Sequence, residues 1–112
     1  MDLHTARKAL AMAAWAAMAG AAGNALAQDV MEQGKKLFTQ TATPACAICH
    51  TLQHAGAAGE IGPSLDELQP DATRVAKAIR GGLGTMPPFP NLSDAQVKTL
   101  SEYVARASGA AK

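Results

Sequence analysis

Between residues 28 and 112 the apolar positions fall into three runs with helical spacing. In the first, Asp29 to Gln40, the residues Val30, Gly34, Leu37 and Phe38 stand at i, i+4, i+7 and i+8, one face of a helix. Gly34 in its middle costs about 1 kcal/mol relative to alanine, so it predicts the close approach of another helix. The second run starts at Asp71, an N-cap residue, and stops at Gly81-Gly82, with Ala72, Val75, Ala76 and Ile79 on its apolar face. The third starts at Ser93, which pairs with Gln96 in a capping box, and its stripe is Val97, Leu100, Val104 and Ala107. Loops separate them: Pro44 with the segment after it, a Gly/Ala-rich stretch from Ala55 to Glu60, the run Ile61-Gly62-Pro63-Ser64-Leu65, and a proline-rich turn around Met86. No internal repeat and no second domain is visible. The pattern predicts one small helical domain.

The first quarter of the chain has a different pattern. Arg7 and Lys8 form a basic start, Ala9 to Ala22 is an apolar stretch, and Gly23-Asn24-Ala25-Leu26-Ala27 ends in small-x-small order. This predicts a signal peptide over residues 1–27, cleaved after Ala27, and a mature domain over residues 28–112. Fourteen apolar residues are too few to span a bilayer, and no basic stop follows them, so stable membrane insertion of the mature chain is not expected. No cysteine for a lipid anchor follows the cleavage point, and Arg-Lys is not a twin-arginine signal. The expected destination is the periplasm. Ten basic and nine acidic side chains become eight of each once Arg7, Lys8 and Asp2 are removed. A balanced charge excludes a nucleic-acid partner. Trp15 also leaves, so Phe38, Phe89 and Tyr103 are the only aromatic residues of the mature domain. Such a chain builds a marginal core, and a buried cofactor supplies the missing apolar bulk.

The chemistry lies in Cys46-Ala47-Ile48-Cys49-His50. Cys-x-x-Cys-His is the attachment signature of a c-type haem. Residues three apart share one face of a helical turn, so both thiols reach the two vinyl groups of one porphyrin, and His50 then brings an imidazole nitrogen to the iron. Two other uses of the cysteines compete. A redox dithiol wants a βαβ setting, and a structural zinc site needs a fourth ligand for which only His54 is near. The sixth iron position has several claimants. Met31 opens the first helix, Met86 stands on a loop stiffened by Pro87 and Pro88, His54 lies four residues past His50 on the proximal side, and solvent is the last.

Ala45–His50, Ile61–Leu65 and Ile79–Phe89 resemble the three signature regions of small class I c-type cytochromes, in the same order. Gly34 with Phe38, and Leu100 with Tyr103, resemble that family's crossing terminal helices. The resemblance covers nearly all of residues 29–107. It implies an all-α cytochrome c fold, with three main helices around one covalently attached haem c. It also implies that Pro63 offers its carbonyl to the second nitrogen of His50, and that His50 and Met86 are the iron ligands. The chain departs from longer members in two ways: only 35 residues separate His50 from Met86, and no mature tryptophan is present to bond a propionate. Arg74 and Arg80 are the candidates for that role. The family's work is one-electron transfer without catalysis, between a periplasmic dehydrogenase donor and a cytochrome or oxidase acceptor. Leu65–Leu68 and the run from Pro70 to Tyr103 are similar to the small cytochromes that accept electrons from periplasmic sulfite dehydrogenases. The alternatives are a haem-based sensor or peroxidase-like protein with an open iron site, and a fixed electron-transfer subunit of an oxidoreductase complex. Arg74, Lys77 and Arg80 recur every third residue and form a candidate basic docking strip.

Overall fold

The computed structural model describes residue 23 and residues 25–111. Most of the expected signal peptide, residues 1–27, lies outside the described residues. Helix α1 runs through residues 25–36 and widens into a π-helical turn, Leu37–Thr41. The apolar stripe expected here ends up inside: Gly34, Leu37 and Phe38 are buried, and Val30 half-buried. Gly34 does what its position predicts. A Cβ built there would overlap the Cβ and Cγ of Tyr103, so α1 can cross the last helix at this distance only with glycine. Phe38 meets the same tyrosine edge to face, with ring centroids 6.2 Å apart and planes at 62°. Such a pair adds about 0.5–1.5 kcal/mol beyond its buried area.

A single turn, α2 (Cys46–Cys49), carries the cysteines. The Gly/Ala-rich stretch is more ordered than its composition predicts. Strand β1 (Thr51–Leu52) pairs antiparallel with β2 (Ala57–Ala58) across a 3-10 turn, Gln53–Ala55, with Leu52 opposite Ala57. Another short helix, α3 (Leu65–Leu68), follows. Helix α4 (Ala72–Gly81) begins as expected, with the Asp71 carboxylate accepting the backbone N–H of Arg74 at 2.8 Å. Helix α5 (Asp94–Ala107) opens on the complete capping box: Gln96 N–H donates to Ser93 Oγ at 3.1 Å and Ser93 N–H to Gln96 Oε1 at 2.9 Å. A cap of this kind is worth about 1 kcal/mol.

The core gathers where α1 and α5 cross, around Phe38, Leu52, Leu100 and Tyr103, all essentially without exposure. Helix α4 behaves differently. Ile79 is buried, but Ala72, Val75 and Ala76 are only half-buried. Ile79 joins the core and Val75 and Ala76 pack against it, while Val75, Ala78 and Ile79 also line a cavity beside the helix. Among the described residues no helix is long and apolar enough to cross a membrane.

Candidate haem site

The cavity measures about 380 Å³, within the range of small-molecule and cofactor sites. One wall is the segment after α1, where Cys46, Cys49 and His50 all reach the lining. Pro63 and Gly62 also line it, and Met86 enters from the turn after α4. The five residues expected to bind a cofactor, Cys46, Cys49, His50, Pro63 and Met86, thus meet in one cavity. Most of the remaining lining is aliphatic or aromatic, including Phe38, Ile79, Phe89 and Leu100.

His50 is held by its neighbours. A carbonyl oxygen can only accept, so the 2.8 Å contact between Nδ1 and Pro63 O means that Nδ1 carries the proton and donates it. Nε2 is then the nitrogen with a free lone pair, the form a metal requires. Gly62 packs flat against this ring. A Cβ at Gly62 would stand 2.6 Å from His50 Cε1 and 2.9 Å from Nδ1, so only glycine leaves the imidazole its place. The backbone N–H of Gly62 also donates to Cys49 O at 2.6 Å, tying this segment to the end of α2. Around it, Thr51 Oγ1 donates to Gly59 O at 2.9 Å and Gln53 N–H to Asp66 Oδ2 at 2.8 Å. In the sequence Gly62 stands within the Ile61–Leu65 signature, but nothing there announces its contact with the His50 ring.

Burial pushes the Cys46 thiol up to about 11, with the neighbouring Cys49 adding to the shift and the Cys46 backbone opposing it. It is a neutral thiol at ordinary pH. Joining it to a vinyl carbon leaves a neutral thioether, so no charge has to be buried in this apolar wall. Met86 sits at the end of a tight turn. Leu83 and Met86 exchange both backbone hydrogen bonds, 3.0 and 2.9 Å, and Phe89 N–H donates to Ile79 O at 2.8 Å. The donor set therefore fits a haem: two free thiols and an oriented imidazole on one wall, a soft thioether on the turn, and an apolar interior between.

The competing uses of these residues fare less well. His54 is exposed, as expected of a surface histidine, but it is not idle: its Nδ1 shares a 2.8 Å hydrogen bond with the hydroxyl of Tyr103. That partner, 49 positions away, draws it away from any zinc role with the cysteines. Among the described residues no group of three or more His, Cys, Asp or Glu forms a metal cluster. Of the two propionate candidates, Arg74 lines the cavity and Arg80 does not. Arg80 instead pairs with Asp94 at 2.8 Å.

These features, with haem c bound covalently in the cavity, define a small monohaem class I c-type cytochrome, an electron carrier rather than an enzyme. The chain belongs to the family described as cytochrome c oxidase, cbb3-type, subunit III, whose pattern matches residues 29–104. Among solved structures it is similar to the c-type cytochrome SorU from Sinorhizobium meliloti, at 43% identity and a TM-score of 0.71, over 73% of this chain and 94% of that one. No curated protein matches it. The all-α cytochrome c fold is thereby shown, with β1 and β2 as its only strands among the described residues.

Proposed function

We propose that the mature chain is an exported one-electron carrier whose iron is held between His50 and Met86. It would take electrons from a periplasmic sulfite dehydrogenase and pass them to a cytochrome or oxidase. The observation that carries this reading is the locked His50 tautomer, with Nε2 free, in the apolar cavity that Met86 also lines. Haem bound there supplies an iron centre that gains and loses one electron. Both side-chain ligands are neutral, so neither changes charge when the electron moves. Pro63 raises the basicity of His50 by accepting a hydrogen bond from its Nδ1–H, and the thioether of Met86 favours the reduced metal. Phe38, Ile79 and Phe89 keep water from the interior. Residues 1–27 would direct export and be removed, which agrees with a family match that begins at residue 29. The choice of donor rests on the similarity of Leu65–Leu68 and the run from Pro70 to Tyr103 to sulfite dehydrogenase acceptors, together with the relationship to SorU.

The test mixes oxidised, purified holoprotein with a catalytic quantity of periplasmic sulfite dehydrogenase and sulfite. The reduced absorption bands should appear only when enzyme and sulfite are both present. A parent that stays oxidised would remove sulfite dehydrogenase as donor. N-terminal sequencing of the exported protein should begin at Gln28.

A further inference from the structure

The peptide between Cys49 and His50 joins the second attachment thiol to the candidate iron ligand, and it is fixed at three points. Its N–H, on His50, donates to Cys46 O at 3.0 Å, and its carbonyl, on Cys49, accepts from Gly62 N–H at 2.6 Å. The third point is Gly59, which lies against the peptide itself. A Cβ at Gly59 would stand 2.7 Å from both Cys49 C and His50 N, and 2.5 Å from Ile48 O. All three are backbone atoms, which cannot swing aside as the end of a flexible side chain does. This contact therefore needs glycine for space. Gly59 is kept there by the β1–β2 hairpin. Thr51 Oγ1 donates to Gly59 O at 2.9 Å, and Thr51 pairs with Ala58 across the ladder. A ladder this short has little stability of its own, so its ties to the rest of the domain hold it. Leu52, Ala55 and Ala57 are buried in the core. Gln53 N–H donates to Asp66 Oδ2 of α3 at 2.8 Å, and His54 is bonded to Tyr103 of α5 at 2.8 Å.

We propose that this hairpin is a brace for the iron ligand, and that Thr51 and Gly59 are positioning residues that set the direction of the His50 ring through its backbone. Neither residue lines the cavity, so both act without touching the cofactor. The consequence is electronic. The direction of the ring decides how well Nδ1–H meets Pro63 O, and that bond sets the basicity of the imidazole. A slackened brace gives a poorer hydrogen bond and a less basic ligand, which stabilises the oxidised metal less. The potential then rises while the haem stays attached. This inference rests on the proposed reading of His50 as an iron ligand.

Thr51→Val removes the hydroxyl at nearly constant volume, and Thr51→Ser keeps it. Both would be prepared as holoproteins beside the parent, with Gln96→Ala as the comparison. That variant breaks the capping box at the start of α5 and so weakens the fold without touching the brace. Reduction potential, electron paramagnetic resonance of the oxidised protein and urea midpoint would be measured for each. Thr51→Val should raise the potential by a change of about twofold or more in the one-electron equilibrium constant, roughly 18 mV, and move the low-spin g values. Thr51→Ser should return both to the parent values. Gln96→Ala should lower the urea midpoint and leave potential and g values where they were. Gly59→Ala should exceed Thr51→Val in both readouts; if it forms no holoprotein, the two Thr51 variants decide. A Thr51→Val protein with the parent's potential and g values would overturn the brace, as would a Thr51→Ser protein that behaves like it. An equal shift in Gln96→Ala would reduce the effect to general loosening and overturn it too. A parent without a low-spin signal would overturn the ligand reading, and the brace with it; a parent that shows the signal beside an unmoved Thr51→Val sinks the brace alone.

Discussion

The two walls of the haem cavity are built on different principles. On the proximal wall, four hydrogen bonds converge within residues 49–66: Gly62 to Cys49, Thr51 to Gly59, His50 to Pro63 and Gln53 to Asp66. Two cysteines add covalent anchorage. On the distal wall, Met86 is presented by a turn closed only through backbone bonds, and no side-chain hydrogen bond reaches residues 82–90 among the described residues. The proximal side is thus a fixed frame, and the distal side a short strap that carries Met86. Damage to the first should cost the holoprotein or its integrity. Damage to the second should leave a folded protein with altered chemistry.

The largest effect is expected from removing the anchorage. Cys46→Ala with Cys49→Ala should abolish stable holoprotein, because α4 then turns its half-buried face toward an empty cavity. Far-ultraviolet circular dichroism and haem staining would check this. A haem-free double variant as stable as the parent would contradict the role of the macrocycle as core.

Next on the same wall comes Gly62→Ala. The added methyl has to displace the His50 ring or its own backbone, at a cost of about 1–3 kcal/mol in urea unfolding, and should shift the reduction potential by weakening the bond to Pro63. An unchanged potential and midpoint would show that the ring is not clamped.

Met86→Ala crosses to the distal wall. Covalent haem and fold should persist, carbon monoxide should bind readily, and the potential should fall by at least about 60 mV, tenfold in a one-electron equilibrium. If the parent binds carbon monoxide as fast as the variant, the iron site is open, and a sensor or peroxidase-like role displaces the carrier.

The smallest effect lies behind the proximal wall. Burial, with Asp66 adding to it, pushes the Tyr103 hydroxyl up to about 12 from its ordinary 10. The folded state holds the proton more tightly than the unfolded one. Stability from this source is therefore complete below pH 10 and is lost progressively as pH rises from 10 toward 12. Tyr103→Phe should remove that loss relative to the parent, while costing about 1 kcal/mol at neutral pH through the bond to His54. Parallel curves for the two proteins across this range would contradict the assignment.

Legibility in the sequence followed the same division. Local signals were plain: the cysteine motif, the Asp71 cap, the Ser93 and Gln96 box, and the glycine at the helix crossing. Each depends on residues within one turn or on a single missing side chain. The β1–β2 pairing was hidden, because Thr51, Leu52, Ala57 and Ala58 have too short a run to show alternation and pair only once the segment is folded. The turn at Leu37–Thr41 and helix α3 were hidden for the same reason. The bond between His54 and Tyr103 joins residues 49 apart, and no spacing announces such a contact. The pairing of Arg80 with Asp94, likewise, depends on how α4 meets the start of α5.

The central claim is that iron here stands between His50 and Met86, and the near-infrared spectrum of the oxidised holoprotein tests it most directly. The account predicts a weak sulfur-to-iron band in the parent that is absent from Met86→Ala and retained in Met31→Ala. A parent without the band, or a Met86→Ala protein that keeps it, would contradict the claim.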